Sequence, residues 1–137
     1  MATITALLDA IYTKYDGDTN LKAELTGGLW HVEAEQETVM PYGTYAILPS
    51  APEYDFGDTT PVEIISVQFN IYVDKNQSDA SLKSAYDDLV TLFDECSLTV
   101  TGHSFMRMHR VNNFFDKDDE SNWRAVVEYE VMLERSS

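Results

Sequence analysis

The alternation of apolar and polar positions is clearest between Glu63 and Val73. From Ile65 onward the odd-numbered positions of this segment are apolar, and most of the residues between them are polar. Strict alternation predicts a β-strand with one buried face and one wetter face. The next segment has apolar residues at helical spacing, and Ser78 or Asp79 is suited to be its N-cap. That helical stripe consists of Leu82, Ala85, Tyr86, Leu89, Val90 and Phe93.

The beginning of the chain predicts one helix followed by less regular structure. Apolar residues recur at helical spacing from Ile4 to Tyr15, with Thr3 or Thr5 as a candidate N-cap. Gly17 lies just beyond the expected end of this helix, where glycine is favoured. The segment from Asp16 to Gly28 is typical of a turn that contains one short helical turn.

Two short strands with a polar arm between them are predicted next. Leu29 to Val32 and Gly43 to Leu48 have strand patterns. Glu33, Glu35 and Glu37 lie in the arm, which lacks the apolar periodicity that would hold it against a core. We therefore expect a mobile loop there, and its acids are candidate contacts to a neighbouring subunit or partner.

Two further strands are predicted in the last third of the chain, after a turn-rich segment at Ser50 to Pro61 and the central strand and helix. One side of the first consists of Leu98, Val100, Met106 and Met108. One side of the second consists of Trp123, Ala125, Val127, Tyr129, Val131 and Leu133. The connection from Asn112 to Asn122 is acidic and longer than a tight hairpin turn, which predicts a projecting hairpin arm.

The order of these elements is helix, strands, helix, strands. It lacks the regular strand and helix alternation that builds a parallel sheet. We therefore predict an α+β fold, with a mostly antiparallel sheet of four or five strands and two helices packed on one face. At 137 residues the chain fits one domain with a single core, residues 1–137.

The net charge of the chain is strongly negative. Nine Lys and Arg residues stand against 24 Asp and Glu residues, which gives a formal charge of −15. Such a field repels nucleic-acid backbones and anionic membranes, so specific DNA binding is not expected. Cys96 is the only cysteine, which excludes an internal disulfide and favours a reducing compartment. No apolar segment is long enough for a signal peptide or membrane span, so we expect a protein that is not exported.

The candidate metal and catalytic residues do not have the spacing that such sites require. A calcium-loop pattern that starts at Asp16 has Leu21 where glycine is needed, and a second pattern that starts at Asp116 has Ser121 at that position. The three histidines have no ligand-like spacing. Cys96 lies at the end of an apolar helical stripe, where a cysteine usually acts as a small buried hydrophobic residue. We therefore predict no catalytic residue, no metal ion and no cofactor.

One segment suggests a contact between subunits. Cationic side chains dominate from His103 to Arg110, with Arg107 and His109 on one face and Glu128 and Glu130 on the neighbouring strand. These residues either form cross-strand ion pairs within one chain or form a basic stripe that meets an acidic surface of another copy.

A second candidate contact is a sheet face of mixed character. Ile64, Tyr72 and Phe105 lie among polar residues on the face that we expect to be opposite the helices, together with Val126 and Met132. If both helices pack on the other side, another copy can bury part of this surface.

Three segments resemble the bacteriophage tail-completion or tail-terminator family, small proteins that cap the tail tube and join it to the head. They are the strand entry at residues 40–46 (Met-Pro-Tyr-Gly-Thr-Tyr-Ala), the strand and helix from Val67 to Phe93, and the acidic turn and last strand from Asn113 to Arg135. Together with the rest of the pattern they cover most of the chain. The arm from Glu33 to Thr38 is longer than the family pattern.

The resemblance implies a structural role at the head-tail junction of a virion, after assembly in the host cytoplasm. The implied assembly is a ring, commonly of six subunits. The ring binds the tail tube protein at the end of the tube, which stops growth of the tube, and it also binds the head-completion or connector protein. DNA passes through such a ring without specific binding, and an acidic subunit suits that passage because like charges repel.

Two other classes of function stay open at this point. A DNA-mimic inhibitor would use regularly spaced carboxylates to occupy a DNA-binding protein, and the net charge favours it. A small enzyme would need acids that converge only in three dimensions, in a pocket that perturbs their pKa values.

Overall fold

A computed structural model describes residues 3–34, 38–48, 52–53, 62–76, 79–117 and 122–135. Its elements in chain order are α1 (Thr3–Asp16), α2 (Thr19–Glu24), β1 (Leu29–His31), β2 (Tyr42–Leu48), β3 (Pro52–Glu53), β4 (Val62–Val73), α3 (Asp79–Phe93), β5 (His103–Lys117) and β6 (Trp123–Arg135). Glu35 and Glu37 of the predicted loop, and most of the turn-rich segment at 50–61, lie outside the described residues.

The helices form where apolar residues recur at helical spacing. On α1, Leu7 and Ile11 are fully buried, as expected for one apolar stripe. The short α2 begins at an N-cap, because the Asp18 carboxylate accepts a hydrogen bond of 2.8 Å from the backbone N–H of Leu21. On α3, the buried positions include Leu82, and the helix ends at Phe93 as predicted.

Among the described residues the strands form one sheet in the order β1-β2-β4-β6-β5, and the two-residue β3 pairs with the start of β4. The β1 and β2 strands are parallel, while the other pairs are antiparallel. The predicted α+β class is therefore confirmed. Within the described part of the chain, β1 and β5 are the two edges of the path.

The core lies between the helices and one face of the sheet. Alternate residues of β4 and β6 are buried there, as the period of two predicts. At the centre, Phe69 stacks on Phe93 with ring centroids 4.7 Å apart. The Tyr129 ring meets Phe69 edge-on at 5.9 Å. Fully burying such a side chain contributes on the order of 1.5–3 kcal/mol, so this cluster ties α3 to the middle of the sheet.

The strand predicted at Leu98 to Met108 is wrong in part. Leu98 and Val100 are buried, but they lie in the connection before β5. Met108 is buried, whereas Met106 is 51% exposed. The reason is a β-bulge, since Phe105 pairs with Leu133 and the next paired residue is Arg107. The extra residue of a bulge leaves the alternation of the strand.

The predicted projecting arm is also wrong for the described residues. β6 pairs with β4 from Trp123 to Glu134 and with β5 from Trp123 to Arg135. Its first residue, Trp123, lies between Val73 of β4 and Lys117 of β5. The described part of the β5–β6 hairpin is therefore an integral part of the sheet, because β4 pairs with β6 as far as Trp123.

Gly27 fixes the approach to β1. A Cβ atom at this position would lie 1.9 Å from the backbone oxygen of Val39, so only glycine fits. The Gly27 N–H donates a 2.9 Å hydrogen bond to the carbonyl of Pro41. These contacts hold the start of β1 beside the start of β2 and position the surface around Trp30.

Candidate functional site: one open face and two edges of the sheet

The open face of the sheet is the side opposite the core. It carries Ile64, Ser66, Gln68, Asn70 and Tyr72 of β4, which pair in register with Met132, Glu130, Glu128, Val126 and Arg124 of β6. Most of these side chains are half-buried. The described helices pack on the other side, so they leave this face uncovered, as the sequence predicts.

Polar side chains on the open face bind one another. The Gln68 amide donates to Asn70 at 3.1 Å, and Asn70 donates to the Thr44 hydroxyl at 3.3 Å. Tyr42 and Tyr72 stack with their ring centroids 5.0 Å apart. The face therefore has a fixed arrangement of polar groups within one chain, which suits it to be a surface for a protein partner rather than a second core.

The predicted interface residues are distributed over different parts of the molecule. Ile64 and Tyr72 lie on the open face as expected. Phe105 does not, because it pairs with Leu133 and is packed against the core; its predicted face is wrong for the same bulge that exposes Met106. Glu33 is exposed just after β1, at the edge opposite β5.

The basic segment of β5 is mostly neutralised by acids of the same chain. Arg107 donates to both oxygens of Glu95, with a shortest distance of 2.7 Å, and this lowers the pKa of Glu95. His109 Nε2 lies 3.5 Å from Glu130 across the strands. The cross-strand pair is thus found for His109, whereas Arg107 binds the turn after α3. Glu128 stays on the open face opposite Gln68 and Asn112.

A hydrogen-bond network that the sequence did not reveal connects the buried Tyr129 of β6 with β5 and α3. The Tyr129 hydroxyl donates a 2.6 Å hydrogen bond to Asp94, and burial, together with that bond, raises the pKa of Tyr129. Asp94 also pairs with Arg110 at 3.2 Å, and Arg110 donates to the hydroxyl of Tyr86. The acid and the cation are mutually neutralised, so this arrangement stabilises the fold and provides no free general base.

An aromatic pocket lies at the β1 edge, and we call it the β1 pocket. Its volume is about 260 Å³, and it is lined by Tyr12, Gly28, Leu29, Trp30, His31 and Tyr45. The Trp30 indole N–H donates to the carbonyl of Gly27 at 2.8 Å, which fixes its ring. The His31 and Tyr45 rings lie 5.5 Å apart. No sequence pattern predicts this pocket, because α1, β1 and β2 meet only in the fold.

The opposite edge of the sheet exposes apolar residues. Val111, Phe114 and Phe115 of β5 are 47%, 43% and 45% exposed. Phe114 pairs with Val126 on the open face, while Phe115 pairs with Ala125 on the core side. Phe115 also contacts the Tyr86 ring of α3 edge-on at 5.1 Å. Large apolar side chains with this exposure are candidates for contact with another protein.

The candidate metal ligands of the described residues are dispersed. The described residues contain no group of three or more His, Cys, Asp or Glu side chains placed to hold a metal ion. Burial raises the pKa of the Cys96 thiol, whose Sγ lies 3.7 Å from the Met108 sulfur, and a raised pKa disfavours the nucleophilic thiolate. None of the helices in the described segments is long and apolar enough to cross a membrane.

Comparison with solved structures identifies the fold. A chain from the virion of a native gene transfer agent particle superposes with a TM-score of 0.79 at 12% sequence identity, over 97% of this chain and 98% of that one. This protein has the fold of a virion protein. A second solved chain superposes with a TM-score of 0.54 at 15% sequence identity, over 90% of this chain and 94% of that one. No protein-family model and no curated protein matches the sequence.

Proposed function

We propose that this chain is a structural protein of a phage-type virion, which closes the end of the tail tube as a ring and binds the head connector. The observation that carries the proposal is the fold that the chain shares, over almost its whole length, with a chain of a gene transfer agent virion. The sequence pattern supports it independently, because three segments resemble the tail-terminator family.

The surfaces of the molecule are compatible with assembly. The open face is half-buried and uncovered by the described helices, and it carries Glu128 and Glu130. The two sheet edges carry different apolar features, as head-to-tail contacts between identical copies require. The formal charge of −15 favours free passage of DNA through a ring, because it opposes adhesion to the phosphates.

The test uses purified protein and tail tubes of the same phage that lack this chain. Negative-stain electron microscopy is expected to show closed rings and rings at one end of each tube. Tubes that stay uncapped at high protein concentration, with no ring in the free protein, would overturn the proposal.

A pair of charge-reversal variants examines the open face. Glu128→Lys places a cation in the middle of this face, whereas Asp87→Lys places one at an exposed position of α3, on the other side of the sheet. If the open face binds the tube or the connector, capping is lost with Glu128→Lys and retained with Asp87→Lys. Equal capping by both variants would remove the open face from the proposed contact.

A further inference from the structure

The two edges of the described sheet carry complementary features on the same side. At one edge the β1 pocket opens among Tyr12, Trp30 and Tyr45. At the other edge Phe115 is 45% exposed and lies on the core side of β5, opposite Ala125. An aromatic cavity and an exposed aromatic ring thus occupy opposite ends of one sheet.

A ring of identical subunits brings such features together. Neighbours in a ring make heterologous contacts, in which one patch meets a different patch of the next copy. Rotation about the ring axis keeps the same side of every sheet toward the axis. A feature on the core side of the β5 edge therefore meets a feature on the core side of the β1 edge, and Phe115 and the β1 pocket satisfy this condition. Phe114, on the other face, does not.

The size and chemistry of the pocket fit a side chain. Its volume of about 260 Å³ lies below the range of roughly 300–1,000 Å³ that is usual for small-molecule sites. Four of its lining residues have aromatic rings, and aromatic pairs in offset or edge-on contact add about 0.5–1.5 kcal/mol beyond burial. The pocket therefore suits one inserted ring better than a cofactor.

One exposed cation lies beside Phe115, and exposed acids lie beside the β1 pocket. Asp9 lies one helical turn before Tyr12 and is exposed, and Glu33 is exposed just after β1. Lys117 is exposed beside Phe115 on the core side of β5, where its ammonium lies 4.4 Å from the Trp123 ring centroid. Asp116 is paired with Arg124, but Asp118, Asp119 and Glu120 follow Lys117 in the chain. The electrostatic contribution is therefore limited to a pairing of Lys117 with Asp9 or Glu33 of the next copy.

The edges do not favour a continuous sheet between copies. β5 has bulges at Met106 and Val111, and bulges and charged side chains are features that block strand addition at an edge. β1 has only three residues. Contact through an inserted side chain is the alternative that both edges permit.

We propose that Phe115 of one copy inserts into the β1 pocket of the next copy and anchors the contact between neighbouring subunits. The partner is a second copy of this chain, and the proposal rests on the proposed ring. Phe115 and the β1 pocket together bury only part of the roughly 1,200 Å² or more of surface that a specific interface buries. They form the centre of the proposed interface, and the surrounding surface of both edges forms the rest of it.

The test uses four variants of the full chain, each checked for folding by circular dichroism, with association measured by sedimentation over a range of concentrations. Phe115→Ser should weaken association about 10- to 100-fold, and Phe114→Ser, at a neighbouring position with similar exposure, should leave it unchanged. Tyr12→Glu at the pocket should weaken association similarly, and Thr5→Glu, at an exposed position two turns earlier on α1, should not.

A mixture of Phe115→Ser and Tyr12→Glu provides the decisive comparison. Each variant retains one intact half of the contact. At a concentration above the wild-type dissociation constant and below that of the variants, the mixture should therefore form heterodimers and no rings, while each variant alone stays monomeric. Wild-type association by a folded Phe115→Ser variant, a mixture without heterodimers, or a wild-type chain that never self-associates would overturn the inference.

The outcomes separate this inference from the proposed function. Rings that form and cap tubes in all four variants would refute the Phe115 contact and leave the capping role standing. Self-association that depends on Phe115 and the pocket, without capping of any tube, would establish the contact and refute the capping role.

Discussion

Tyr129→Phe removes one hydroxyl group from the centre of the molecule and leaves the ring in place. Tyr129 is fully buried, and its hydroxyl donates a 2.6 Å hydrogen bond to Asp94 at the end of α3. The ring contacts with Phe69 and Phe93 do not involve the hydroxyl. The substitution therefore isolates the hydrogen bond from the packing of the aromatic cluster.

The expected loss of stability follows from the acceptor. A hydrogen bond to a charged group stabilises a protein by about 1.5–3 kcal/mol, and a neutral one by about 0.5–1.5 kcal/mol. The Asp94 side chain is 35% exposed and keeps its ion pair with Arg110 after the change, so the lower part of the charged range applies. We expect a loss of about 1.5 kcal/mol, which lowers the urea midpoint by roughly 1 M for an m-value of about 1.5 kcal/mol/M.

Urea unfolding followed by circular dichroism measures this loss. Tyr12→Phe is the matched control, because its hydroxyl is on a side chain that is 44% exposed and the change should stay within about 0.5 kcal/mol. In an Asp94→Ala background the effect of Tyr129→Phe should shrink, since the acceptor is already absent. A loss equal to that of Tyr12→Phe would show that the buried hydroxyl contributes nothing net, and the reasoning would be refuted.

Three further changes follow from individual contacts. Asp116 accepts two hydrogen bonds from Arg124, which lower the pKa of Asp116. Asp116→Asn should therefore lower the free energy of unfolding by about 0.5 kcal/mol at neutral pH. In urea unfolding this difference from the wild type should disappear as the pH falls through the lowered pKa. Burial is the main cause that raises the pKa of Asp88, and nearby acids add to it. Asp88→Asn should therefore stabilise the folded protein by about 0.2–0.5 kcal/mol at pH 7. This gain in stability should vanish in acid, because a protonated Asp is as neutral as Asn. Deletion of Met106, the extra residue of a bulge, should lower the thermal midpoint less than deletion of Met108, which shifts a buried residue out of register.

The helices and the central strand were predictable because each follows one period throughout. α1, α3 and β4 carry uninterrupted apolar patterns, and their predicted bounds agree with the structure to within one or two residues. Strand order was not predictable, since the period identifies which face of a strand is buried and contains no information on its neighbours. The parallel pairing of β1 with β2 depends on the close contact at Gly27, which one residue letter does not reveal.

The candidate site was predictable only where it lies on a regular strand. Ile64 and Tyr72 follow from the alternation of β4, because every second residue must face away from the core. The β1 pocket needs Tyr12 of α1 and Tyr45 of β2 to meet around Trp30, and no local pattern predicts that meeting. The charges predicted the contacts less well than the strand positions did. Arg107 forms an ion pair with Glu95 and not with an acid of the neighbouring strand.

The two bulges of β5 explain both the errors in the last third of the chain and the arrangement of the proposed contact. Each bulge inserts one residue and exchanges the faces of all residues beyond it. Phe105 precedes both bulges and Phe115 follows both, so these two odd-numbered residues return to the core side, opposite Leu133 and Ala125. Between the bulges the even-numbered Met108 takes that side. If all residues from Arg110 onward alternated without a bulge, Phe114 and not Phe115 would be on the side of the β1 pocket. Deletion of Val111, the extra residue of this bulge, leaves Phe115 opposite Ala125 and should therefore preserve the proposed contact.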